Sequence, residues 1–111
     1  MADAHFPARP ELPRRLQPMN GKAADAVAAW CRGHSHREVV RILARVYEPA
    51  PTVRMIERYV DDVTTRFGHT AHDTRLALLD LMIAMPGRTS NERMRALSAL
   101  LQQGWTYPPL Y

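Results

Sequence analysis

From residue 21 onward, apolar side chains recur at three- and four-residue steps, the period of helices with one buried face. Ala23, Ala24, Val27, Trp30 and Cys31 mark a short alanine-rich helix from about 21 to 32. Val39, Val40, Ile42, Leu43, Val46 and Tyr47 mark a second, from about 35 to 47. Val53, Ile56, Val60, Val63 and Phe67 step 3-4-3-4 and mark a third, from about 51 to 66, with Met55 and Tyr59 widening its stripe. A fourth runs from about 71 to 85. Between Leu76 and Met85 it carries a single charge, Asp80, so it is apolar on nearly every side and is expected to be central or shared with another subunit. Met94, Leu97, Leu100 and Leu101 give the buried side of a fifth helix, about 90 to 103. No convincing strand appears, so the expected fold is all-α: a single small bundle of about five helices.

The residues between these runs agree with that division. Ser35 with Glu38 and Thr89 with Glu92 are spaced as capping boxes, in which each side chain answers an orphan backbone N–H at a helix start. Asn20 and Thr70 are further N-caps. Pro49 biases Glu48 away from helical backbone and closes the second helix, whereas Pro51 suits the first turn of the third. Gly33, Gly68 and Gly104 stand where C-terminal stops belong, and Pro86-Gly87 halts the fourth helix.

Outside this body, residues 1–19 form a proline-rich arm. Pro7, Pro10 and Pro13 fall three apart, along one edge of a polyproline II strand, and Pro10 to Arg15 satisfies Pro-x-x-Pro-x-Arg. Phe6, Leu12, Leu16 and Met19 would let the arm strap across the protein's own core or a second subunit. Alternatively, Arg9, Arg14 and Arg15 would touch a DNA backbone, as basic arms do elsewhere. The tail, residues 105–111, holds Trp105, Tyr107 and Tyr111. It reads either as a staple onto the bundle or as a docking segment for a partner or second copy.

Composition narrows the class. A length of 111 residues fits one domain with a modest core. The net charge of +4 comes almost wholly from arginine, Lys22 being the single lysine. It is spread as +2 over residues 1–33, +1 over 34–66 and +1 over 67–111, which permits nucleic acid or an acidic protein surface as partner. One cysteine, Cys31, excludes an internal disulfide. No membrane-spanning run or signal peptide is visible, so a cytoplasmic protein is expected.

The stretch Ser35-His36-Arg37-Glu38-Val39, with Leu43 and then Pro51-Thr52-Val53-Arg54, resembles a generic helix-turn-helix of bacterial and phage regulators. The interval from Leu43 to Val53 is about three residues longer than in the compact motif, and Val40 and Ala44 stand where a small residue and a turn glycine are usual. The resemblance implies transcription regulation by a DNA-binding homodimer. The helix from 51 to 66 would read DNA, with Thr52, Arg54, Met55 and Arg58 facing bases. Arg37, Arg41 and Arg45, an i, i+4, i+8 row, would hold phosphates or an acidic partner, as would Arg14 and Arg15. Glu57, Asp61 and Asp62 would repel phosphates if they faced the duplex. Ordinary bundle packing explains the same two helices without DNA. In the alternative function the chain is a helical interaction module that inhibits or bridges another protein, such as a polymerase, regulator or defence complex.

Two other chemistries have less support. Cys31, His34 and His36, with His69 and His72, are zinc-type ligands, but their spacings match no zinc module, so no metal and no cofactor is expected. Gly-rich phosphate loop, nucleophile elbow and paired catalytic carboxylates are all missing, so an enzyme is not expected.

Overall fold

Alanine sets how closely other helices can approach the first one. In the computed structural model, which describes residues 11–107, α1 spans Gly21–Cys31. It begins where the Asn20 side chain accepts a hydrogen bond from the Ala23 N–H at 2.8 Å. Ala23, Ala24 and every residue from Ala26 to Cys31 are buried. Methyl side chains on several flanks let four helices touch α1: α2 (His36–Leu43), α3 (Val53–Phe67), α4 (Ala71–Ala84) and α5 (Ser90–Gln103). The described residues are therefore all-helical apart from a single bridge between Leu16 and Trp105.

The centre is thus α1, and of the two expectations for α4, central or shared with another subunit, the first does not hold. Bulky leucines on every side hold neighbours apart, whereas a central helix needs small ones. α4 packs through Ala77, Leu78, Leu81 and Met82, and leaves Leu76 41% and Ile83 57% exposed. α3 buries the expected stripe of Ile56, Val60, Val63 and Phe67, and ends at Gly68 in left-handed backbone. Both capping boxes form, at Ser35/Glu38 and Thr89/Glu92.

α2 is shorter than its apolar pattern. It stops at Leu43, and residues 44–46 turn through i→i−3 bonds such as Val46 N–H to the Leu43 carbonyl. Val46 is consequently 74% exposed. Tyr47 swings back to α1, where its hydroxyl donates to Asp25. Ser98 of α5 donates to the other oxygen of the same carboxylate, and Gln102 donates to the Ser98 hydroxyl at 3.2 Å. Lys22 sits over the Tyr47 ring. One half-buried carboxylate therefore ties together α1, the turn after α2 and α5. The Asp25 bond, together with burial, pushes the Tyr47 phenol up from 10.0 to about 12.

Residues 11–19 lie extended along the body, with Leu16 and Met19 buried and Leu12 packed at the core's edge. Leu16 and Trp105 exchange both backbone bonds, at 2.8 and 3.0 Å, and Met19 N–H donates to the Leu101 carbonyl. The Trp105 indole N–H reaches the Pro13 carbonyl at 2.8 Å. Gly104 makes this clasp possible. Its φ is +70°, and a Cβ there would lie 2.5 Å from the Leu16 carbonyl oxygen. Trp105 thus serves the strap and staple readings, while Tyr107 is 74% exposed. Phe6, Pro7, Arg9, Pro10 and Tyr111 fall outside the described residues.

Gly104→Ala combines a positive φ with a backbone clash, and is expected to lower stability by more than about 1 kcal/mol, read from thermal or urea unfolding. Tyr47→Phe removes one donor from Asp25 and is expected to cost about 1 kcal/mol. Because the folded phenol is raised, its share of stability is complete below pH 10.0 and is lost as pH climbs towards about 12. The difference in stability between wild type and Tyr47→Phe should therefore shrink over that window in pH-dependent unfolding.

Candidate nucleic-acid interface

The basic surface begins at the capping box of α2. Ser35 N–H donates to Glu38 Oε1 at 2.9 Å, and Glu38 N–H donates to Ser35 Oγ at 3.2 Å. These bonds, with His34 Nδ1 3.5 Å from the carboxylate, hold the Glu38 carboxyl below its usual range. Glu38 is thereby engaged with the helix start rather than with the arginines. Arg37 and Arg41 lie exposed on α2, and Arg45 lies exposed in the turn just past it. None of the three has a carboxylate within ion-pair reach among the described residues. A four-residue step advances about 6 Å along a helix, which sets Arg41 that far from Arg37, whereas Arg45 follows in the turn beyond the helix end.

α3 presents a mixed face. Thr52 is its N-cap, with Oγ1 accepting from the Met55 N–H at 3.2 Å. Arg54 and Arg58 are exposed, and Met55 is half-buried. Glu57, Asp61 and Asp62 are exposed on the same helix. Asp62 pairs with Arg66 at 3.0 Å, and Arg66 also donates to the Gln17 carbonyl, so that pair braces the arm. Arg54 and Arg58 have no such partner among the described residues. Residues 44–52 join α2 to α3, well beyond the roughly three- to four-residue turn of a compact helix-turn-helix. Arg14 and Arg15 are exposed on the arm just before Leu16.

The zinc-type residues scatter. Cys31 is buried, donates to the Ala28 carbonyl at 3.1 Å, and has its thiol pushed up to about 12 by burial, against the pull of Arg75 and Arg32. His34 lies by Glu38, and His69 Nε2 is 2.8 Å from the Glu11 carbonyl oxygen. His36 and His72 line one groove. Among the described residues no three His, Cys, Asp or Glu side chains converge in a way that would hold a metal ion.

Sequence reasoning passed over Arg75. Its guanidinium stacks on Trp30, 4.6 Å from the ring centroid, and donates to the carbonyls of Trp30 and His34. A charge one residue before a leucine-rich run was the available signal. Asp25 and Ser98 were passed over too, because their partnership spans 73 residues of chain.

No protein-family model matches this chain, and no curated protein and no solved structure matches it. No described helix is long and apolar enough to cross a membrane.

Proposed function

We propose that the protein is a small DNA-binding regulator of bacterial or phage type. It holds the duplex backbone with Arg37, Arg41 and Arg45, and offers bases the first turns of α3, through Thr52, Arg54, Met55 and Arg58. The observation that carries this reading is that five arginines, two on α2, one in the turn after it and two on α3, face solvent with no carboxylate partner among the described residues. Unpaired guanidiniums lose nothing internal when they meet phosphates, and phosphate contacts dominate affinity for nucleic acid. The exposed Leu76 and Ile83, seven residues apart on α4, supply an apolar contact for a second copy.

A second reading rests on the acids of α3. Glu57, Asp61 and Asp62 share the exposed surface with Arg54 and Arg58. A helix carrying both signs suits a protein partner with complementary charges better than a uniformly negative duplex. In that case the chain is an interaction module acting on another protein.

Mobility shifts with genomic fragments separate the two. The first reading expects retardation at micromolar protein and low salt, with affinity falling steeply as salt rises. Substituting Arg37, Arg41 and Arg45 together by alanine should flatten the log–log salt slope by roughly 2–3, at ~0.9 per lost phosphate contact. Arg54→Ala with Arg58→Ala should instead relax sequence preference. No retardation at low salt would remove the DNA reading. A stoichiometric protein partner that survives nuclease would then favour the second.

A further inference from the structure

A groove of about 750 Å³ opens between the starts of α2 and α4, beside α3. His36 and Arg37 reach it from α2, His72 and Arg75 from α4, and Asp61 from α3, with Trp30 beneath. Arg75 is the fixed element. It is half-buried, its Nε donates to the Trp30 carbonyl at 3.1 Å, its Nη2 donates to the His34 carbonyl at 3.3 Å, and its plane lies over the indole. All three partners are neutral. No described carboxylate stands within ion-pair reach of it, although Asp61 lines the same groove. A cation partly removed from water is normally paired, and this one is held in place with no counter-ion among the described residues. Its two carbonyl bonds leave further guanidinium donors unspent.

We propose that this groove is a binding site for the phosphate group of a small phosphorylated ligand, with Arg75 as the fixed anchor. Arg37, His36 and His72 close on the same group. Donors arriving from both α2 and α4 suit a tetrahedral group, whose oxygens point several ways, better than a flat carboxylate. Two guanidiniums outweigh the single carboxylate of Asp61, so the groove is net positive. Trp30, Val53 and Val60 continue the lining beyond the charged groups and offer an apolar surface to an organic body attached to the phosphate. The site goes beyond the duplex reading and does not depend on it: Arg37 is shared, but Arg41, Arg45, Arg54 and Arg58 are outside the groove lining.

The test is a titration of the isotope-labelled full chain, followed by amide shifts, with sodium phosphate, with adenosine monophosphate, and with sodium chloride at matched ionic strength. The expected result is saturable shifts confined to residues 34–38 and 70–75 with both phosphates and not with chloride. Arg37→Ala combined with His72→Ala, both at solvent-exposed positions, should weaken phosphate binding at least about fivefold. Arg88→Ala, at an exposed position between α4 and α5 and outside the groove, should leave it unchanged. Tighter binding of the nucleotide than of inorganic phosphate marks a small-molecule ligand, and displacement of either by a short duplex marks a backbone phosphate in the same seat. Failure to saturate by ~10 mM phosphate, equal shifts from chloride, or an unchanged affinity in the double variant would overturn the site. Phosphate binding without duplex retardation would leave the site standing and remove the DNA reading alone.

Discussion

Four helices can contact a fifth along its length only if the fifth keeps its side chains short. In α1 that condition is met by Ala23, Ala24, Ala26, Ala28 and Ala29, all buried, and the larger Val27, Trp30 and Cys31 fill the spaces the alanines leave. Overpacking such a position costs about 1–3 kcal/mol, because close-packed neighbours have nowhere to move. Everything else follows from that spacing. Asp25 is the polar residue of the helix interior that faces the turn and α5, and its two donors orient both. Trp30 ends the helix against α4, which brings Arg75 over its ring.

This arrangement sorts the charges. Arg32, Arg66 and Arg75 are committed to contacts within the molecule: Arg32 to Asn91 and Met94, Arg66 to Asp62 and the arm, Arg75 to two carbonyls and an indole. The arginines of α2 and the first half of α3 have no such contact among the described residues. Stability draws on the first set and the proposed duplex contact on the second, while Arg75 serves both the interior and the proposed phosphate site. The fork geometry of arginine serves both, since it stacks on aromatic faces and also reads phosphate and guanine.

Much of the fold could be read from the chain because helices declare themselves locally. The caps at Asn20, Ser35, Thr70 and Thr89 and the stop at Gly68 all depend on residues within a few positions of each other. What the chain concealed was set by distant partners. Helix α2 ends at Leu43, short of its apolar pattern, and Tyr47 beyond it bonds to α1 across 22 residues, a contact that local spacing does not reveal. α4 looked central on apolarity, a property of one helix, whereas centrality depends on what its neighbours can tolerate. The candidate surface was legible in part. The exposure of Arg37 and Arg41 follows from helical spacing, whereas Arg45 is exposed in the turn past α2, and the groove needs Trp30, His36, His72 and Arg75 together, from three segments of the chain.

The bond from Trp105 to Pro13 spans 92 residues, and the Leu16–Trp105 bridge lies just inside it. Closing a loop of that length carries a large entropic penalty, and each bond that closes it returns little until the intervening helices are already compact. The two ends therefore pair with least cost once the five helices have brought them side by side. Leu16 and Met19 ride on this seam and are buried in the core, so parting the two ends would also uncover the helical interior.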